Sequence, residues 1–63
     1  MELGERLRRA RLAAGLSQRQ LVGDRITRNM LSQIEHGTAA PSMETLRYLA
    51  ERLGRPVSYF LDQ

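Results

Sequence analysis

Between Thr27 and His36 the chain reads Thr-Arg-Asn-Met-Leu-Ser-Gln-Ile-Glu-His, and its polar side chains are of the kinds that read base edges. An Arg guanidinium holds guanine O6 and N7 together, and an Asn or Gln amide holds adenine N6 and N7 together. Wound as a helix, this stretch presents Thr27, Arg28, Asn29, Ser32, Gln33 and His36 at steps of one, three and four, away from Met30, Leu31 and Ile34. A helix is the right width for the major groove of B-DNA. Taken singly, Arg28, Asn29 and Gln33 are better explained as ordinary members of a solvated helix surface, and Ser32 suits a neutral surface position as readily as a base contact. Taken together, on one face after a short turn, they are expected to read bases.

Phosphate contacts call for different residues. The unpaired N–H groups at a helix N-terminus carry partial positive charge and suit an anion. Arg19, near the start of the preceding segment, adds a full charge, and Arg25 lies in the turn. Thr27 opens the polar helix, and Thr38, with the N–H groups after Gly37, lies just beyond its end. All four are candidate phosphate contacts, which set register without reading sequence; for Arg19 and Arg25, plain solvent exposure explains the residue type nearly as well. His36, the one histidine, has no second ligand for a metal. It suits the C-terminal end of its helix, where the dipole favours a proton, or a phosphate.

The charge balance agrees with a polyanionic partner. All ten basic residues are Arg. Residues 1–30 hold seven of them against three acids, a balance of +4, whereas residues 31–63 hold three against four, a balance of −1. A one-sided basic surface suits nucleic acid, although a solvated Arg-rich face without a partner has the same composition.

Other classes of function find little support. Sixty-three residues make one small domain spanning 1–63, with no room for both a core and a walled cleft. Absence of cysteine removes disulfides, thiolate zinc sites and thiol nucleophiles. Glu44 and Glu51 stand seven apart on one helix, a solvated stripe, and Ser17, Ser32, Ser42 and Ser58 read as caps or surface. There is no Gly-rich phosphate loop, and Tyr48, Tyr59 and Phe60 are too few and scattered to stack single-stranded bases. The chain is therefore expected to be no enzyme, with no cofactor, metal or small-molecule ligand in this domain. No apolar run approaches the ~20 residues that span a bilayer, and Met1-Glu2-Leu3-Gly4-Glu5 lacks a signal peptide's basic start. A cytoplasmic, nucleoid-associated protein without a membrane partner is expected.

The elements that must hold these residues follow from composition and punctuation. Ten Leu and six Ala with few β-branched residues favour helices. Gly15, Gly23, Gly37, Pro41, Gly54 and Pro56 divide the chain into five segments. The first runs from about Leu3 to Ala14, with Leu3, Leu7, Ala10 and Ala14 on one face and Leu12 on the other. Gly15 suits a left-handed stop. The second is capped by Ser17 and buries Leu21 and Val22; the third opens at Thr27, its apolar residues being Met30, Leu31 and Ile34. The fourth is capped by Ser42 and lines Met43, Leu46, Leu49, Ala50 and Leu53 along one face until Gly54. The last starts near Pro56 and contributes Phe60 and Leu61 to the core. No segment alternates with period two, so the fold is expected to be a compact all-α domain of five helices. A helix of about six residues, a Gly-containing turn and a helix of about nine form a helix-turn-helix layout.

Two groups of residues carry a family resemblance. Gly15-Leu16-Ser17-Gln18 with Leu21, then Ile26 through Gly37, and Pro41-Ser42-Met43-Glu44-Thr45-Leu46 through Gly54 resemble the DNA-binding domain of phage Cro and repressor proteins, the xenobiotic-response-element group of bacterial regulators. The resemblance covers about residues 3–61 and implies a lambda-repressor-like fold. It implies base contacts from Arg28, Asn29, Ser32 and Gln33, a phosphate contact from Gln18, and an Arg11–Glu35 bridge between the first and third helices. The chain departs from the family at Val22-Gly23-Asp24-Arg25-Ile26-Thr27, a turn one residue shorter than usual, with Val22 in place of a small Ala. A second helix shorter or less regular than usual is therefore expected, with Gly23 supplying backbone freedom. The function expected is sequence-specific binding of double-stranded DNA by a transcriptional regulator acting as a repressor. Its form is a homodimer on a roughly palindromic site, with Leu12, Tyr59 and the C-terminal segment as candidate subunit contacts. The alternative is a helix-turn-helix protein-interaction module of the antitoxin kind.

Overall fold

The computed structural model describes residues 2–61; Met1, Asp62 and Gln63, which the single-domain reading and the C-terminal contact surface include, lie outside the described residues. The chain forms α1 (Leu3–Ala13), α2 (Gln18–Val22), α3 (Arg28–Glu35), α4 (Met43–Leu53) and α5 (Val57–Leu61), with no strand among the described residues.

Local chemistry places the boundaries. Ser17, Thr27 and Ser42 have extended backbones and accept, through their hydroxyl oxygens, the N–H groups of Gln20, Met30 and Thr45 at 3.0–3.1 Å. Each satisfies one of the donors that a helix start leaves unpaired. At Ser17 the cap is reciprocal, because Gln20 Oε1 accepts the Ser17 N–H at 2.8 Å, completing a capping box.

The core is one cluster drawn from all five helices: Leu7 and Ala10, Leu21 and Val22, Leu31 and Ile34, Leu46, Leu49 and Ala50, and Phe60. Leu3, Leu16, Ile26, Ala39, Tyr48, Leu53 and Val57 pack partly buried against it. Four expected core residues lie on the surface instead: Ala14, Met30, Met43 and Leu61. The cause is angular. On α3 the buried stripe is Leu31, Ile34 and Glu35, and a residue one position away from such a stripe turns ~100° off it. Met30 precedes Leu31 and Leu61 follows Phe60, so each is carried out of the core. Met43 stands in the first turn of α4, before the stripe begins at Leu46, and Ala14 lies past the last residue of α1. Leu12 is exposed, on the side opposite the α1 stripe.

Two glycines decide how the helices meet. Gly4 is buried in the first turn of α1, where a Cβ would run into the carbonyl oxygens of Ile34 and Glu35. Glycine thus lets the start of α1 seat directly on the end of α3. Gly23 ends α2 with φ +57°, a backbone that L side chains resist, and a Cβ there would also meet the Tyr48 hydroxyl. The short turn between α2 and α3 therefore has both a conformational and a steric need for glycine. Consistent with it, α2 has only five residues.

Candidate nucleic-acid interface

The third helix is fixed from behind by a buried charge pair. Arg11 and Glu35 lie on the inward stripes of α1 and α3, each 8 % exposed. Arg11 Nε donates to Glu35 Oε2 at 2.7 Å and Nη2 to Oε1 at 3.1 Å. This two-bonded fork is the geometry that best offsets the desolvation of two buried charges. The remaining Arg11 nitrogen, Nη1, donates to the Leu16 carbonyl at 3.0 Å, and Gln18 Nε2 donates to Glu35 Oε1 at 3.1 Å. One network thus joins α1, the loop after it, the start of α2 and the end of α3. No buried side-chain polar atom among the described residues lacks a partner.

The outward face of α3 is different. Arg28, Asn29 and Gln33 are exposed. No side-chain hydrogen bond or ion pair holds any of the three among the described residues. Their donors and acceptors are therefore open to solvent, on a helix whose opposite stripe is anchored. Ser32 is half-buried, its hydroxyl 3.5 Å from His36 Nδ1, at the outer limit of a hydrogen bond.

The residues around this face are engaged to different degrees. Thr27 uses a hydroxyl lone pair as the α3 cap and keeps its hydrogen free to donate. His36 caps the other end, its Nδ1 lying 2.7 Å from the Ser32 carbonyl. A carbonyl only accepts, so in this contact Nδ1 is the donor, and Nε2 faces away from it. Thr38 Oγ1 donates to the Gln33 carbonyl at 3.1 Å, closing the turn after α3. Arg19 is exposed. Gln18 is half-buried and turned toward Glu35, which leaves its amide oxygen and second N–H available. Arg25 lies over the Tyr48 ring, its guanidinium carbon 5.1 Å from the centroid.

Four contributors escaped the sequence reading. Gln20 was legible, since Ser-x-x-Gln is a capping-box signature. Gly4 carries the weak signal of a glycine inside a helical pattern, which marks close approach. Tyr48 and Arg52 carry none. Tyr48 Oη donates to the Val22 carbonyl at 3.1 Å and Arg52 Nη2 to the Gln20 carbonyl at 2.6 Å, contacts made across 26 and 32 residues.

Fold and site together define a helix-turn-helix domain: α2, a glycine turn, and α3 presented polar side outward. A family model described as helix-turn-helix matches residues 7–60. The chain belongs to this family of DNA-binding domains, of the Cro/repressor type. No significant match was found among curated proteins or among solved structures. No helix among the described residues is long and apolar enough to cross a membrane.

Proposed function

We propose that the domain binds double-stranded DNA sequence-specifically as a transcriptional repressor, with the segment 27–36 in the major groove. The observation that carries this reading is the contrast across α3. Its inner side is anchored through Leu31, Ile34 and the bonded Glu35, and its outer side offers Arg28, Asn29 and Gln33 without competing partners. A rigid helix with uncommitted, bidentate-capable side chains is what direct readout needs.

In this reading Arg28, Asn29, Ser32 and Gln33 touch base edges. Gln18, Arg19, Arg25, Thr27 and His36 surround them on phosphates, whereas Thr38, whose hydroxyl and backbone N–H both donate to the Gln33 carbonyl, closes the turn beside them. A phosphate would draw on the free N–H of Gln18 and the free hydroxyl hydrogen of Thr27. The domain acts as a homodimer on a roughly palindromic site, in the cytoplasm at the nucleoid.

Selection of bound duplexes from a random pool tests the reading. The expected result is a consensus of two related half-sites. Recovery of no consensus, with binding that responds weakly to salt, would instead favour a protein-interaction module of the antitoxin kind, since only phosphate binding releases condensed counterions.

A further inference from the structure

Two of the α2 carbonyls that a longer helix would satisfy are instead met from α4. Helix α2 ends after five residues, leaving its last carbonyls without intrahelical partners. Arg52 takes the Gln20 carbonyl and Tyr48 takes that of Val22, which also accepts the Arg25 N–H at 3.2 Å. The Tyr48 ring then lies within cation–π reach of two guanidinium groups, Arg25 from the turn at 5.1 Å and Arg52 from its own helix at 5.6 Å. Gly23 brings the backbone close enough to the Tyr48 hydroxyl that no Cβ fits between them. The turn is thus held at its start by a hydrogen bond, in its middle by close approach, and at Arg25 by stacking, all on one side chain.

We infer that Tyr48, supported by Arg52, is a positioning residue that fixes the path of the shortened turn and so the angle at which α3 is presented to DNA. The inference rests on the DNA-reading function proposed above. Tyr48 touches no base in this scheme; it acts through the backbone of residues 22–25. The stacking also means that Arg25 serves the turn whether or not it reaches a phosphate.

The test uses Tyr48→Phe, which keeps the ring and its stacking but deletes the hydroxyl, with Arg52→Gln as a second variant and Arg52→Lys as its conservative rescue. Amide hydrogen exchange reads the turn directly, without DNA. For Tyr48→Phe the opening equilibrium at Gly23 and Arg25 should rise about fivefold, the factor of one net hydrogen bond, while amides in α1 keep their protection. Preference for a selected duplex over a random one should fall by up to the same factor, with random-duplex affinity unchanged. Arg52→Gln should act in the same direction, and Arg52→Lys should restore most of the preference. A uniform rise in exchange along the chain would reduce Tyr48 to a general stabilising residue and overturn the inference. So would an unchanged duplex preference with the wild-type protein still discriminating, a result that leaves the DNA reading intact. If wild-type protein itself shows no duplex preference, the DNA reading fails and the positioning role falls with it.

Discussion

Gln33 and Glu35 stand two positions apart on one helix and meet opposite environments. Gln33 is solvent-facing with an uncommitted amide; Glu35 is buried and accepts from Arg11 and Gln18. Their substitutions should separate cleanly. Gln33→Ala, like Arg28→Ala, is expected to leave folding unchanged, to cost about 1–3 kcal/mol of specific binding, and to relax preference at one or two bases. Quantitative binding to single-base variants of the selected duplex checks this; equal weakening on specific and random DNA would remove these residues from the reading role. Arg19→Ala, by contrast, is expected to weaken all duplexes alike and lower the salt slope by about one. Glu35→Ala leaves the Arg11 guanidinium buried without its carboxylate, and should destabilise the fold by about 3–5 kcal/mol. Urea denaturation measures it, and a loss under about 1 kcal/mol would show that the guanidinium escapes to water.

At the scale of elements, α3 is positioned by contacts at both ends. Its start is capped by Thr27, and its end receives the first turn of α1 at Gly4. Gly4→Ala introduces a methyl group where two backbone carbonyl oxygens already lie, and backbone moves less readily than a side chain. A loss of about 1–3 kcal/mol is expected, the range for overpacking, although alanine has the higher helix propensity. Thermal melting of the variant tests the argument, since propensity alone forecasts the opposite sign. The α2–α3 turn is the other element that local rules leave open. Its glycine and its shortness are visible in the sequence, but the partners that close it come from α4, 26 and 32 residues away. Core assignment at helix edges failed for the same reason: Met30 and Leu61 differ from their buried neighbours by one position, and hydrophobicity alone does not set which way a short helix is rotated.

The domain is small against its proposed target. Its principal extents are 28 × 23 × 20 Å, and successive major grooves on one side of B-DNA lie ~34 Å apart. One copy that lays α3 in a groove does not reach the next, so two related half-sites call for two copies. Selected sites should therefore show half-site centres separated by about one helical turn, with sedimentation of the complex giving two protein chains per duplex. A single short contact site bound one-to-one would overturn the dimer.

Five helices, the N-caps of α2, α3 and α4, the buried positions at the middle of each stripe and the polar character of the 27–36 segment were all legible in the residues alone, because capping, glycine stops and helical periodicity act over a few residues. That α1 sits on the end of α3 through Gly4, that Gln18 turns inward to Glu35, and that Tyr48 and Arg52 close the shortened turn emerged only once the helices were packed. Those contacts depend on how helices rotate and approach, which is set by the packing of the whole core.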